Sequence, residues 1–554
     1  RVERVRLDGK GLTLVFTLER GGAADVVYCG MRLPDGEDLA ALDASSARGR
    51  HESQPDVPPC PGLLPESKAG WNGTPALRLI DLDNPLAGEV ATDFRVRQWD
   101  ASDRELWIDW QDETLGIHVD MWWRIRSGDV VNVRCDVRNH GEKSFTLADQ
   151  PALVLPIPAR FAGLTIYSGR WAGEMRETHR ALAPYGLAAR SAAGKPGFGG
   201  GNWLLLDDQA SGEVLGAHLA WSGDYTTRIE CDTQGQSDGR ALLQMAIGGG
   251  ATGVSLLAAT DIAGCEAVFA LAPNRSALAQ QFHTYLRAEV LPARKEWSPR
   301  KVHLNSWEAL GFNLSEEGLM RLAEDAASLG IERFVLDDGW FGGRRDDRTS
   351  LGDWFVSPEV FPNGLSPLID RVHELGMDFG LWVEPEMVSP DSDHYRAHPD
   401  WCLHTEGRER PTMRGQLALD MGRDEVRDYL FERLDRLLRE NAIAYLKWDH
   451  NRDLFPSRPG QTEGFYALLD RLSAAHPKVE IESCSSGGGR IDFGVLARVH
   501  RVWPSDNNDA IERLRIMRAW SQFLPLEVLG SHVGPSPNPI TGRRLAMDFR
   551  AKVA

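Results

Sequence analysis

Between Phe94 and about Leu147 apolar and polar residues alternate in short runs. Leu106/Ile108/Trp110, Ile117/Val119/Met121 and Val131/Val133/Cys135/Val137 each share one face, and turn formers such as Asn139-His140-Gly141 lie between them. A period of two is that of a half-buried strand, so this stretch predicts an antiparallel meander. The same texture runs through 204–206, 214–221 and 254–259, with glycine-rich breaks at 197–201 and 248–250. Residues 1–290 therefore read as one large all-β domain, and a sandwich is the natural way to bury that many half-apolar strands.

The texture changes at Leu291-Pro292, and 291–300 reads as a linker. From Val302 onwards, short β-rich runs alternate with segments of 3.6-residue period. One places Leu319, Leu322, Ala326 and Leu329 on a face and stops at Gly330; another, from Asp424, places Val426, Tyr429, Leu430, Leu434, Leu437 and Leu438 on a face and stops near Asn441. The runs between such helices are 303–307, 333–340, 378–386, 445–449, 479–486, 501–507 and 525–532, with a further short candidate at 416–420. Repeated strand–helix units predict a parallel sheet, and this many favour a (β/α)8 barrel over 301–554. The last helical pattern, 544–553, runs to the chain end, so the eighth strand is expected to be missing and the barrel incomplete.

Charge and composition narrow the partners. The chain has 554 residues, 62 Lys+Arg against 80 Asp+Glu, a formal charge of −18, and 18 Trp to only 9 Tyr. Such an acid excess, with no basic stripe, argues against nucleic acid and anionic membrane as partners. Apolar runs such as Leu12 to Phe16 fall far short of the roughly 20 residues that cross a bilayer. Seven widely spaced cysteines without a CxxC pair point to free thiols rather than a disulfide framework or zinc site. A cytoplasmic location fits that; the chain opens on Arg1, so a periplasmic or secreted location with a removed leader is the alternative.

The strands end in polar residues, which is where a barrel keeps its chemistry. Trp307, Asp337, Asp338, Trp382, Glu384, Glu386, Lys447, Asp449, Glu482, Cys484 and Asp506 would converge on one mouth. Carboxylates can attack carbon, give protons or hold hydroxyls, while indole faces stack on sugar rings, so a carbohydrate is the leading substrate class. In Tyr445–Asp449, Lys447 and Asp449 share a face opposite Trp448. The ammonium would favour an ionised, nucleophilic Asp449, or the two would form a buried strand-end salt bridge. Asp509, with Glu512 three residues on, matches a helix N-cap and capping box, which leaves Asp506 upstream as the better general acid. Adjacent Asp337 and Asp338 suit two neighbouring hydroxyls better than a divalent metal, and no metal or cofactor is expected. Glu384 and Glu386, separated by Pro385, read as loop anchors. The glycines of 487–489 lack a following GK[ST] and read as a tight turn that lets backbone N–H groups approach a neutral ligand. Cys484 has no strand-end His to activate it.

LDDGW (336–340), GLWVEPEMV (380–388), LKWDHNRDL (446–454), ESCSSGGGRIDFG (482–494) and WPSDNNDAIERLRI (503–516) resemble, in order, the signature segments of glycoside hydrolase family 36, the bacterial-type α-galactosidases. YSGRWAGEMRE (167–177) and GAHLAWSGDY (216–225) extend the resemblance over essentially the whole chain. It implies an N-terminal β-supersandwich, a (β/α)8 barrel and a C-terminal β domain, the last expected to be missing here. It further implies Asp449 as nucleophile and Asp506 as acid/base. Asp337 and Asp338 would bind the 4- and 6-hydroxyls of galactose. Lys447, Arg414, Asn451, Cys484 and the Gly487 backbone would contact the same ring, and Trp307 and Trp382 would wall the pocket. The implied activity is that of a retaining, exo-acting α-galactosidase cleaving oligosaccharides such as melibiose or raffinose by double displacement, in a homo-dimer or tetramer. On the same scaffold the alternatives are α-N-acetylgalactosaminidase or raffinose-synthase-like galactosyl transfer. A non-catalytic sugar-binding protein is disfavoured because both aspartates are present. His450 and Asn508 depart from the family's usual Met and Thr, flanking the catalytic positions without replacing them.

Overall fold

The computed structural model describes residues 1–47, 56, 62–231, 241–248, 253–292 and 299–554. Through Ala272 the described strands pair antiparallel. A ten-stranded sheet carries the predicted meander (Arg95–Ala101, Glu105–Asp112, Ile117–Ile125, Val131–Asn139) at one end and Gly163–Ser168, Trp203–Asp207 and Val214–Ala220 at the other. A four-stranded sheet, Asp149–Ile157, Ala241–Gly248, Tyr225–Cys231 and Leu187–Ser191, joins the same core. The alternation works as read: Leu106, Ile108, Trp110, Val119, Met121, Trp123, Val133 and Cys135 are all buried in that core. Each large apolar side chain removed from water there stabilises the fold by roughly 1.5–3 kcal/mol. Most of the predicted linker, 293–298, lies outside the described residues, as do Cys60 and the glycines at 249–250.

From His303 the architecture is parallel. His303–Asn305, Arg333–Leu336, Asp378–Val383, Tyr445–Trp448, Glu480–Ser483 and Arg501–Val502 pair in chain order, each with the next. The predicted crossover helices are present. Glu316–Ser328 starts on Ser315, whose hydroxyl accepts from Gly318 N, and buries Leu319, Ala323 and Ala326. Asp424–Glu440 buries Val426, Leu430, Leu434 and Leu437. Leu329 departs from its expected face: it lies past the last helical residue and is 79% exposed.

Two predicted strands behave differently. Residues 525–532 begin as a 3-10 turn, Leu526–Val528, and only Leu529 bridges Val502 in parallel, with Gly530 N donating to Val502 O at 2.9 Å. A strand extends as far as its partner's ladder, and Arg501–Val502 offers two residues. The 416–420 candidate supplies Leu417–Ala418, which pairs antiparallel with Met387–Val388 in a two-stranded sheet apart from the parallel one. Among the described residues no strand closes the ring between Leu529 and His303.

Candidate active site

The C-terminal ends of the parallel strands open into a cavity of about 860 Å³. Of the expected site residues it is lined by Trp307, Asp337, Asp338, Trp382, Arg414, Lys447, Asp449, Asn451 and Asp506. The strand period sets this up: Lys447 and Asp449 face the cavity, while Trp448 faces away and donates from Nε1 to Glu386 at 2.9 Å.

Asp449 is 6% exposed and held at four points. Trp382 Nε1 (3.1 Å) and Asn451 Nδ2 (2.7 Å) donate to Oδ2, His450 N donates to Oδ1 at 2.8 Å, and Asp449 N is tied to Val383 O at 2.8 Å. Burial by itself would raise its pKa, but the charges of Lys447 and Arg414, with the bond from Asn451, override that and lower it. Lys447 does not bond Asp449. Its Nζ donates to Asp337 Oδ2 at 2.9 Å, so the strand-end ion pair forms across strands and Asp449 feels Lys447 as a neighbouring charge.

Asp506 lines the same cavity, accepting from Trp171 Nε1 at 2.9 Å and Trp503 Nε1 at 3.1 Å. Burial and then the charge of Asp449 push its pKa up, against the Trp171 bond and the charges of Lys447 and Arg414. Two carboxyls on one cavity are thus driven apart, one towards its ionised and the other towards its protonated form.

Asp337 and Asp338 differ. Asp337 Oδ2 accepts from Lys447 and from Asn305 Nδ2 at 2.6 Å, whereas Asp338 is held by both arms of buried Arg344 at 2.9 and 2.8 Å. Arg414 reaches the cavity from a left-handed backbone conformation, φ 56°, of the kind that strained functional positions adopt.

The glutamates are anchors, as read. Glu384 accepts from Gln416 Nε2, Asn451 N and Asn451 Nδ2, and burial, with the charge of Asp449, pushes its pKa up to about 7. Glu386 takes both arms of Arg490 at 3.0 and 2.8 Å. Asp509 caps the helix Ala510–Trp520 by accepting from Ile511 N and Glu512 N. The reciprocal half of the box is absent: Asn507 Oδ1 takes Asp509 N, and Glu512 takes Arg543.

Cys484 and Gly487 are not among the lining residues. The Cys484 thiol is buried, and its pKa is raised by burial and by the charges of Asp449 and Asp506. The glycine turn packs closely against neighbouring protein. A Cβ on Gly488 would stand 2.6 Å from Pro504 O, and Gly488 N points at Glu174 Oε1 at 3.5 Å.

A melibiase family model matches residues 267–554, and the glycosyl hydrolase family 36 N-terminal domain model matches residues 22–247. An α-galactosidase of Escherichia coli is 37% identical over 557 residues, covering 96% of this chain and 75% of that protein. The chain belongs to glycoside hydrolase family 36. The α-galactosidase AgaA of Geobacillus stearothermophilus is 35% identical, over 80% of this chain and 63% of its own length. Among solved structures, the Lactobacillus brevis α-galactosidase superposes with a TM-score of 0.93 at 29% identity, covering 100% of this chain and 79% of that one. A Geobacillus stearothermophilus AgaA variant in complex with raffinose gives 0.92 at 30% identity, covering 100% and 82%.

The family 36 cavity also contains residues that motif reading passed over. Trp171, Lys195 and Phe198 reach it from the β region: Trp171 bonds Asp506, 335 residues on, and Lys195 Nζ donates to His450 O, 255 residues on. Next to Lys195 and Phe198 the signal was the glycine-rich stretch 197–201, read as a break between strands when Gly197 N reaches across to Gly489 O of the barrel; Trp171 lay within the 167–177 segment of the resemblance without being given a role. Asn305, Glu308, Trp503, Asn508 and His532 complete the mouth.

Proposed function

We propose that this chain is a retaining, exo-acting α-galactosidase that releases terminal α-galactosyl residues from oligosaccharides of the melibiose and raffinose type. The observation that carries the proposal is the pair of cavity carboxyls with opposite pKa tendencies, Asp449 lowered and Asp506 raised. Asp449 attacks the anomeric carbon while Asp506 protonates the departing oxygen; Asp506 then takes a proton from the water that releases galactose. Asp337, Asp338, Lys447, Arg414 and Asn451 hold the ring hydroxyls, and Trp307 and Trp382 flank the ring. Support for galactose comes from the relatives, which are named α-galactosidases, and from the raffinose complex of a structure similar over the whole chain.

The working unit is a barrel of 301–554 joined through 291–300 to a β-supersandwich of 1–290, in a homo-oligomer. A cytoplasmic location is supported by the free state of all six described cysteines. No described helix is long and apolar enough to cross a membrane.

Variant kinetics test the roles. Asp449→Ala should lose roughly 10⁴-fold or more on every galactoside, whereas Asp506→Ala should lose roughly 10²–10⁴-fold on melibiose yet keep most of kcat/KM on an activated aryl α-galactoside. Equal losses on both substrates in both variants would refute the assignment. Release of α-galactose as the first product, read by NMR, checks retention.

A further inference from the structure

Glu174 lies 2% exposed in the loop between Ser168 and Arg176, more than 300 residues from the barrel segment it touches. That loop grips the acid/base segment at successive residues. Trp171 Nε1 donates to Asp506 Oδ2 at 2.9 Å, Asn507 Nδ2 donates to Ala172 O at 3.0 Å, and Ser505 Oγ donates to Glu174 Oε2 at 2.6 Å. Arg515 Nη1 binds Glu174 O at 2.9 Å, which pins the loop to the helix after Asp509.

The loop's own backbone is constrained. Ala172 (φ 57°) and Met175 (φ 53°) are left-handed without being glycine, a conformation that persists only where surrounding contacts over-determine it. The opposing glycines fit the same contact. Gly487, at φ 79°, could not carry a Cβ without bringing it to 2.7 Å from Asp506 N and 2.9 Å from Glu174 Oε1. The carboxyl of Glu174 therefore fills the gap between the 487–489 turn and Ser505-Asp506. Ser505 Oγ passes the constraint on by accepting from Asn507 N at 3.1 Å.

We infer that Glu174 is a positioning residue for proton transfer by Asp506, acting through Ser505 to fix the backbone from which the Asp506 carboxyl is aimed. The inference rests on the assignment of Asp506 as acid/base. A group that only aims the acid matters where the leaving oxygen needs a proton and matters little where it does not.

The test is kcat/KM on melibiose against an activated aryl α-galactoside for wild type, Asp506→Ala, Glu174→Ala, Glu174→Gln and Ser505→Ala. Glu174→Ala and Ser505→Ala should each lower the melibiose value by roughly 10- to 100-fold and the aryl value by less than about 3-fold. Glu174→Gln, which keeps the shape and an acceptor for Ser505, should recover most of the loss. The double variant Glu174→Ala/Ser505→Ala should fall no further than the worse single one, because both changes cut one link. Equal losses on both substrates, no loss on either, or additive losses in the double variant would overturn the inference. Asp506→Ala run alongside separates the failures: if it shows no split between substrates, the acid/base assignment itself falls; if it does and Glu174→Ala does not, only the role of Glu174 falls.

Discussion

At the residue scale the site's chemistry comes from how each carboxyl is partnered, and this sets its pH dependence. The first step of the proposed mechanism needs Asp449 ionised and Asp506 protonated. The lowered pKa of Asp449 extends activity to the acid side, and the raised pKa of Asp506 extends it to the alkaline side. The hydrogen bond from Trp171 works against the second effect, since it favours the charged form of Asp506. In Trp171→Phe, which keeps a ring and loses the donor, the folded pKa of Asp506 rises further, so the alkaline limb of kcat/KM on melibiose should move to higher pH and the acid limb should stay. A downward shift of the alkaline limb would contradict this electrostatic account. That Asp449 and Asp506 would meet at one cavity, and that Asp509 would cap the next helix, was legible from local spacing. The partner of Lys447 was not, because Asp337 stands on a different strand and pairing across a sheet leaves no mark in the spacing of either segment.

At the element scale, the helix Ala510–Trp520 links stability to catalysis. Its cap Asp509 accepts from two backbone N–H groups, from Thr541 Oγ1 at 2.5 Å and from Arg543. One turn on, buried Arg513 donates to the carbonyls of Ser505, Asn507 and Gly530 at 2.6–2.8 Å, holding the segment that bears Asp506. Asp509→Ala should therefore cost about 1–2 kcal/mol in urea unfolding. It should also reduce kcat on melibiose more than KM rises, because Arg513 is carried by the loosened turn. Asp509→Asn, which still caps, should lose less of both; equal stability of all three proteins would refute the role of the cap. The barrel segments with the strongest period, Glu316–Ser328 and Asp424–Glu440, were readable as helices. The run 525–532 misled because its apolar alternation is real, yet strand formation needs a neighbour's ladder, and the neighbour is two residues long.

At the scale of the whole molecule, the β region helps to build the cavity and is not a separate appendage. It sends Trp171 and Lys195 into the cavity and packs Glu174 behind it against Ser505. It also shares a buried polar seam with the barrel's outer side. Tyr466 Oη donates to Ser222 Oγ at 2.7 Å and accepts from Ser222 N at 3.0 Å, while Ser222 Oγ donates to Asp492 Oδ1 at 2.8 Å. Beside them Phe493 N donates to His218 Nε2 at 3.0 Å, and the His218 ring stacks on Trp203 at 3.4 Å. Burial holds the His218 pKa down at about 3, so the ring is neutral, donating from Nδ1 to Asn202 O and accepting at Nε2. The pairing was not legible in the sequence: the 216–225 and 482–494 segments stand out singly, but with the two sides about 250 residues apart nothing marks that they meet. A seam this buried should join the two regions into one cooperative unit, because either side unfolding alone would strip the other of hydrogen-bond partners. Tyr466→Phe removes the hydroxyl, leaves the buried Ser222 N–H without its acceptor, and should cost roughly 1–3 kcal/mol. In scanning calorimetry, wild type and variant should each show a single endotherm, the variant's displaced downwards by a few degrees. Two resolved endotherms, with only one of them moved by the substitution, would mean that the β region and the barrel unfold independently and that the seam does not couple them.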